Sequence, residues 1–278
     1  MWDTRKLPLA VFIFTVLSHK GMSKSPELDM APDAVDDLYN GCREEAMKKF
    51  IESGVLKQEL EKNEGFKTTW TEKRECSGLI PGGTKEHTTA LSLMGDEYGS
   101  FKKTFNNAVK TMGTNVSTYE NFAFKSLHFL LIDSMKLAQK LNEKQCLTVY
   151  YLSEVELTAK EGSKIRFGGF TVASNSYGDL KTLEDWHERT IFNITTCLYF
   201  NLENICSDDK YMVLLSPAEV YTVKSVKKVT EDDPVYTEIV LEQPEMGNQH
   251  NCYIFSRSPA DVSTLWLVLL LAVLPPLL

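Results

Sequence analysis

The strongest constraint on the fold is a change of pattern at Cys146. Before it, three segments are predicted to be helical: the first mixes spaced apolar residues with charges, the second gives two short helices broken near 96–99, and the third has apolar residues at three- and four-residue steps. These segments are 36–62, 87–113 and 121–142. After it come short runs rich in β-branched and aromatic residues, separated by turn residues. Because helices precede strands and do not alternate with them, we expect an α+β fold, with a helical half (27–145) packed on a β-sandwich (146–255).

The clearest helix is predicted over 121–142, where apolar residues form one stripe that should face the core. The stripe consists of Phe124, Leu127, Leu131, Met135, Ala138 and Leu141. The predicted strands are 146–155, 164–174, 189–200, 211–226, 235–243 and 252–256. The fourth of these is expected to break at Ser216-Pro217, because proline cannot donate to a strand ladder.

The first residues indicate secretion. Arg5 and Lys6 precede an apolar run over 7–17, followed by small and polar residues. This pattern is typical of a secretory signal peptide, which we predict to be residues 1–23. A buried N-terminal helix is the alternative.

The last residues indicate a lipid anchor. A small, polar stretch leads into a wholly apolar tail, 265–278, which is shorter than the about 20 residues of a membrane span. The pattern predicts a GPI attachment signal with residues 257–278 removed, on Ser256 or Ser258. Ser256 is preferred because Ser258 precedes Pro259. We therefore expect one domain, 24–256, on the extracellular face of the plasma membrane. An ordinary tail anchor is the alternative.

Composition excludes several classes of function. A net charge of −8 argues against a nucleic-acid partner, which would need a basic face. The sequence lacks a GxGxxG motif and a Walker loop, so the usual nucleotide-phosphate fingerprints are missing. The five histidines are scattered, and no CxxC or HExxH spacing occurs, so no metal site is expected.

Cysteines and glycosylation sequons fit an oxidising compartment. Six cysteines suggest disulfides, with as many as fifteen connectivities open. Two acceptor sequons begin at Asn115 and Asn193. Asn115 follows a glycine and is expected in a glycosylated loop. Asn193 lies within a predicted strand, and its occupancy is left open.

Four motifs in the β-rich half carry a resemblance to a known family. They are LTVYYLSEVE (147–156), RFGGFTVASNS (166–176), IFNITTCLYF (191–200) and YMVLLSPAEVY (211–221). In order and spacing the chain resembles the vertebrate arginine-specific ecto-mono-ADP-ribosyltransferases over roughly residues 27–255. The resemblance implies their fold and their reaction, which transfers ADP-ribose from NAD⁺ to a protein arginine.

Three family positions matter for that reaction: a phosphate-gripping arginine, a serine at the nicotinamide end, and a Glu-x-Glu pair. In this chain the arginine position is Tyr151, the serine position is Val172, and the paired glutamates fall on Lys210 and Met212. Of the family's Ser-Thr-Ser-like triplet, the last serine remains as Ser174. The resemblance therefore implies transfer activity that is weak or lost, because none of these replacements supplies the same chemistry.

Three functional hypotheses follow. The first is a surface protein that binds NAD, a related nucleotide or another extracellular protein, with Ser174, Tyr151 and Lys210 as candidate NAD contacts. The second is an active NAD-dependent ADP-ribosyltransferase or NAD glycohydrolase that uses other carboxylates. Those carboxylates would be Asp208, Asp209, Glu154 or Glu156. The third is a purely structural surface antigen.

The resemblance also implies a disulfide framework. It pairs Cys42 with Cys252, and Cys146 with Cys197. Cys76 and Cys206 are left over as a further possible pair.

Overall fold

The computed structural model describes residues 25–73, 75–95, 99–141, 145–180, 182, 186–230 and 235–255. The predicted signal peptide, the apolar tail and both candidate GPI attachment serines lie outside these residues. Within them, no helix is both long enough and apolar enough to cross a bilayer.

Helices occupy the N-terminal half, as predicted. They are α1 (Arg43–Met47) with a π-helical turn (Lys48–Glu52), α2 (Val55–Lys62), α3 (Glu64–Thr71), α4 (Lys85–Ser92), α5 (Gly99–Thr111), α6 (Val116–Glu120) and α7 (Lys125–Leu141). A further short helix, α8 (Tyr177–Leu180), lies in the C-terminal half. The sequence pattern does not predict α3. Its start is set by Asn63, whose side chain accepts a hydrogen bond from the Phe66 N–H, a favourable N-cap.

Helix α7 is the central helix of this half. Its predicted stripe is buried from Phe124 to Met135, but the stripe ends early, because Leu141 is 57% exposed. Residues between the stripe positions are buried as well, including His128, Phe129 and Asp133. A helix that is buried on most sides lies inside the helical layer, so α7 is a core element with neighbours on several faces.

The C-terminal half forms one eight-stranded sheet in the order β2-β7-β8-β4-β1-β3-β6-β5. The strands are β1 (Leu147–Leu152), β2 (Lys164–Ile165), β3 (Thr171–Ser174), β4 (Thr190–Thr196), β5 (Tyr199–Asn201), β6 (Met212–Leu215), β7 (Glu219–Val229) and β8 (Tyr236–Met246). Only the β4–β8 pair is parallel among the described strands. The predicted break at Ser216-Pro217 separates β6 from β7.

The predicted strand over 252–256 is wrong. Residues Tyr253–Phe255 form a single 3-10 turn. Cys252 has a positive φ of 57°, and the Asp37 carboxylate accepts the backbone N–H groups of Cys252 and Tyr253 at 2.9 and 2.8 Å. These two donors are therefore satisfied by a side chain and not by a neighbouring strand.

The two faces of the sheet have different neighbours. On β3 and β6, Val172 and Leu214 pack into the helical core, whereas Ala173 and Val213 join a second core. That second core also includes Phe192 of β4 and further residues of β1, β2, β7 and β8. A sheet face that contacts no helix can be this deeply buried only if the sheet curls over itself, as in a sandwich. The mixed α+β fold is confirmed, with both layers of the sandwich continuous in one sheet.

The two ends of the domain meet at a buried ionic cluster, which we call the terminal junction: Asp36, Asp37, Arg166, His250 and the Cys42–Cys252 disulfide. Arg166 donates to the Asp36 carboxylate at 2.5 Å and to the carbonyls of three loop residues. These carbonyls belong to Met30, Ala31 and Gly247. Asp36 also accepts the backbone N–H of His250 at 3.1 Å. Each of the three guanidinium nitrogens thus donates at least one hydrogen bond inside the protein.

Three disulfides cross-link the domain: the two pairs that the resemblance implied, and the pair formed by the two cysteines left over. Cys42–Cys252 joins residues 210 positions apart and closes the terminal junction. Cys146–Cys197 links the residue before β1 to the residue after β4. Cys76–Cys206 links the segment before α4 to the loop that leads into β6. Constraining such long loops lowers the entropy of the unfolded chain.

Candidate functional site

A cleft of about 1220 Å³ opens where the helical layer meets the sheet. One wall consists of β1, β3 and the residues leading into β6, and we call it the strand wall. The other is α5, which we call the helix wall. The volume is slightly above the about 300–1,000 Å³ of ordinary small-molecule sites. All four positions that the resemblance assigns to family chemistry border this cleft, namely Tyr151, Val172, Lys210 and Met212.

The strand wall is organised by strand register. Ser174 of β3 lies directly opposite Tyr150 of β1 on one side and opposite Met212 of β6 on the other. Directly opposite residues point to the same face of a sheet, and so do residues two apart on one strand. Val172 therefore shares this face. The tertiary structure brings Val172, Ser174 and Met212 together, as a site on neighbouring strands requires.

Tyr151 differs from the other three positions. Its side chain belongs to the opposite face, where its ring stacks on Phe192 with centroids 5.8 Å apart and meets Phe167 edge-on. Burial raises the pKa of the Tyr151 phenol, and the Glu154 carboxylate adds to the rise. Tyr151 therefore borders the cleft while its ring is part of the second core.

Tyr150 is the β1 residue that faces the same way as Ser174, and its ring lies 5.0 Å from that of Tyr177 on α8. It was not singled out from the sequence. The signal that could have found it is the strict alternation of a strand, which puts Tyr150 and Tyr151 on different faces.

The Ser174 hydroxyl is engaged in a local turn. It donates to the Ser176 carbonyl at 3.1 Å and accepts from the Ser176 backbone N–H at 3.0 Å. This is the hydroxyl counterpart of an Asx turn, and it shapes the exit from β3. A ligand that bonded to Ser174 would compete with this turn.

Lys210 and Tyr211 form the outer edge of the strand wall. Tyr211 has a positive φ of 66°, and its carbonyl accepts the Asn175 backbone N–H at 2.9 Å. The Lys210 ammonium lies 4.8 Å from the centre of the Tyr211 ring. Its side-chain hydrogen bond with Tyr211 raises the pKa of Lys210. At the position that the resemblance assigns to the first motif glutamate, the chain thus presents an exposed cation.

The helix wall is basic. Lys102, Lys103 and Lys110 of α5 border the cleft, together with Asn106. The Asn106 side chain accepts the Phe170 N–H at 2.9 Å and donates to the Phe170 carbonyl at 2.8 Å, which fastens α5 to the start of β3. These lysines were not identified from the sequence. They lie on the polar side of an amphipathic helix, a pattern that usually means a solvated face.

Only one of the four carboxylates proposed as substitutes borders the cleft. Glu154 lies there and pairs with Lys103 at 3.0 Å, with both side chains mostly exposed. Glu156 instead accepts from Ser25 and Thr237, and the Ser25 hydrogen bond lowers the pKa of Glu156. Asp209 is buried, 3% exposed, and neither it nor Asp208 is among the residues that line the cleft.

One further carboxylate, Asp179 of α8, also lines the cleft. Among the described residues, no three His, Cys, Asp or Glu side chains are grouped as a metal site would need.

The comparisons with known proteins decide the family. Residues 28–246 match the family model described as NAD:arginine ADP-ribosyltransferase. The chain belongs to this family. It is 31% identical to T-cell ecto-ADP-ribosyltransferase 2 of Mus musculus, over 81% of this chain and 76% of that protein. It is 27% identical to GPI-linked NAD(P)(+)--arginine ADP-ribosyltransferase 1 of Mus musculus, over 88% of this chain and 78% of that protein.

A solved structure gives the same assignment. The fold is similar to a mutant of the eukaryotic mono-ADP-ribosyltransferase ART2.2 in complex with NADH, with a TM-score of 0.66 and 27% identity. The similarity covers 83% of this chain and all of that one. The family resemblance seen in the four sequence motifs is therefore confirmed.

Proposed function

We propose that this member of the NAD:arginine ADP-ribosyltransferase family is a surface protein that binds ligands in its cleft with little or no arginine ADP-ribosylation. The observation that carries the proposal is the composition of the strand wall. Val172 and Met212 are apolar, and Lys210 presents a cation at the edge. The cleft remains, but the groups that family chemistry needs on this wall are replaced.

The chemistry explains why these replacements matter. Loss of nicotinamide leaves positive charge on the ribose, and a carboxylate next to it stabilises that charge. A methionine thioether at position 212 cannot do so. Removing one preorganised transition-state group costs on the order of 10²–10³ in rate. The cation of Lys210 further repels both the developing charge and an incoming arginine.

The helix wall suits NAD better than the strand wall does. Lys102, Lys103 and Lys110 could receive the two phosphates, because lysine ammonium groups bind phosphate oxygens as point charges. The predicted contacts Tyr151 and Ser174 are less available, since the Tyr151 ring packs in the second core and the Ser174 hydroxyl bonds within its turn. NAD would thus be held from α5, with its nicotinamide ribose against apolar residues.

We further propose that the mature protein is one domain, 24–256, held by a GPI anchor on the extracellular face of the plasma membrane. The support is the basic-apolar start of the sequence, the apolar tail after small polar residues, three disulfides, and a relative named as GPI-linked. The signal peptide would be 1–23 and the removed propeptide 257–278.

An active NAD-dependent transferase or NAD glycohydrolase is the second candidate, and one observation favours it. Glu154 places a carboxylate at the cleft. To act on the ribose it would have to leave Lys103, an exposed pair whose separation costs at most about 1 kcal/mol.

The test expresses the full chain on cells and supplies labelled NAD⁺ with an arginine-rich acceptor. Label transfer and nicotinamide release are both followed. The first variant combines Met212→Glu, Lys210→Glu and Val172→Ser, and its matched control carries Met212→Gln in place of Met212→Glu. We expect a silent wild type and a gain of turnover only with the glutamate.

Tyr151→Arg is added in a second step, because it places a guanidinium between Phe167 and Phe192 and can disturb the fold. Surface expression and proteolytic resistance are measured for each variant. Clear turnover by the wild type that disappears in Glu154→Gln would overturn the proposal in favour of the second candidate.

A further inference from the structure

Asn193, the second glycosylation sequon, lies in the middle of the sheet and in line with the cleft. On β4 it pairs with Tyr150 of β1 on one side and with Val240 of β8 on the other. The same cross-strand row continues from Tyr150 to Ser174 and Met212, the strand wall of the cleft. All five side chains therefore belong to one face of the sheet.

Alternation along β4 gives the direction of the Asn193 side chain. Its neighbours Phe192 and Ile194 are fully buried in the second core. Asn193 and Thr195 point the other way, and both are partly exposed. The amide of the sequon thus faces outward from the strand.

This part of the face is open to solvent. The helical core covers the face where it carries Val172, Leu214 and Phe200, on β3, β6 and β5. Around Asn193, in contrast, Thr148 is exposed, and Glu242 pairs with Lys224 at the surface. Asn193 lies on the strand next to Tyr150, a cleft residue of β1, at a spacing of about 4.5–5.5 Å between Cα atoms.

We propose that Asn193 carries an N-linked glycan that stands beside the mouth of the cleft and screens it from protein-sized partners, while small molecules still enter. In the attachment step the Nδ2 amide nitrogen displaces the diphosphate of a lipid-linked oligosaccharide donor. A C–N glycosidic bond forms, the sugar–phosphate bond breaks, and one amide proton is lost. The Thr195 hydroxyl completes the sequon. This inference rests on the proposed secretory route, but not on the loss of transferase activity.

Asn115 provides an internal comparison. It is exposed at the start of α6, where its Oδ1 accepts the Thr118 backbone N–H at 3.0 Å, and it does not line the cleft. A glycan on Asn115 would use Nδ2 and leave this cap in place. Occupancy at Asn115 therefore reports passage through the secretory pathway, whereas occupancy at Asn193 reports on the inference.

The first experiment expresses the full chain in secretory cells and measures occupancy at both asparagines by glycosidase treatment and peptide mass. Asn193→Gln and Thr195→Ala each remove the second sequon, and Thr195→Ser retains it. We expect one glycan fewer in the first two variants only. An occupied Asn115 with an unmodified Asn193 overturns the inference alone, whereas two unmodified asparagines overturn the secretory route as well.

The second experiment measures access to the cleft. Lys210, an exposed amine at the cleft edge, is labelled with a small amine-reactive reagent and with the same reagent coupled to a protein. We expect Asn193→Gln and Thr195→Ala to increase labelling by the large reagent several-fold and to leave the small one unchanged. Thr195→Ser and Asn115→Gln should match the wild type. An unchanged ratio of large to small labelling in both sequon-removing variants would contradict the screening role.

Discussion

The terminal junction and the cleft are both rich in charge, yet the two use it differently. In the junction, Arg166 and Asp36 are fully buried and bonded to each other. At the cleft, Lys103 and Glu154 meet at 3.0 Å with side chains 67% and 72% exposed. Breaking a buried pair leaves an uncompensated charge, at a cost of about 3–5 kcal/mol, whereas exposed pairs contribute about 0–1 kcal/mol.

This difference explains how the fold can persist while the site changes. Stability depends mainly on the junction, the disulfides and the two cores. The family positions Tyr151, Val172 and Met212 add only partly buried side chains to those cores. At the cleft, the apolar side chains of Val172 and Met212 are partly buried against the helical core. A change of side chain at the cleft can therefore leave the scaffold intact, since fold and function are separable.

The largest expected effect comes from removing the disulfide of the terminal junction. Replacing Cys42 and Cys252 together by serine removes a bridge between residues 210 positions apart. The chain-entropy model gives a loss of at most about 5 kcal/mol in the free energy of unfolding, because the Cys76–Cys206 bridge inside this loop remains closed. The Cys146 and Cys197 double replacement frees 51 residues and should cost about 4 kcal/mol. Urea denaturation of the oxidised proteins measures both. A larger loss for the shorter loop would argue against the entropic account.

The next effect tests the ionic part of the junction. Arg166→Met leaves the Asp36 carboxylate buried without its cation and should lower the free energy of unfolding by about 3–5 kcal/mol. Arg166→Lys keeps the charge but provides fewer donors, so an intermediate loss is expected. Chemical denaturation gives both values. A loss below about 1 kcal/mol for the methionine variant would mean that the Arg166–Asp36 pair contributes no more to stability than an exposed ion pair such as Lys103–Glu154.

The third prediction concerns Glu59, a buried carboxylate that, within the described part of the chain, has no ion pair like that of Asp36. Its contribution to stability should depend on pH. Glu59 accepts the backbone N–H groups of Lys125 and Ser126, and burial raises its pKa from 4.5 to about 7. Because the folded pKa lies above the unfolded one, Glu59 favours folding below pH 4.5, and this contribution is lost as the pH rises through 7. The change amounts to about 3 kcal/mol.

Glu59→Gln should flatten the dependence of the free energy of unfolding on pH between 4.5 and 7, because the amide does not titrate. The measurement is urea denaturation at several pH values, and the difference between wild type and variant isolates Glu59 from other groups. His128, for example, has a pKa lowered by burial to about 4 and acts in the opposite direction. Parallel curves for the two proteins would contradict the prediction.

The smallest effect is expected at the cleft. A double-mutant cycle with Lys103→Ala and Glu154→Ala should give a coupling free energy below about 1 kcal/mol, which falls further at high salt. A coupling of about 3 kcal/mol, the size expected for a buried pair, would mean that the cleft charges are part of the scaffold.

Much of the fold could be predicted from local pattern. The step from helices to strands at Cys146, the central helix α7 and the break before β7 all follow from periodicity and proline. The pattern failed at α3, where an Asn63 cap starts a helix, and at 252–255, where the Asp37 carboxylate and a disulfide hold a turn. In both places a side chain accepts hydrogen bonds from backbone N–H groups. The spacing of apolar residues carries no information about such bonds.

The candidate site could be predicted only in part. The four family positions were found by resemblance, and they do border one cleft. Their surroundings could not be found in the same way. That the Tyr151 ring stacks on Phe192, and that Lys102 and Lys110 of α5 border the same cleft as β3, depends on packing between segments far apart in the chain.

By itself, the sequence determined the change from helices to strands and the family, and its resemblance to that family predicted which residue stands at each family position. Only the tertiary structure decided which of those side chains share a face. Glu154 borders the cleft and Glu156 does not, and Asn193 lies in the same row as Tyr150. The physical reason is that local periodicity places each side chain on one of two faces, whereas long-range strand register and packing determine what lies opposite it.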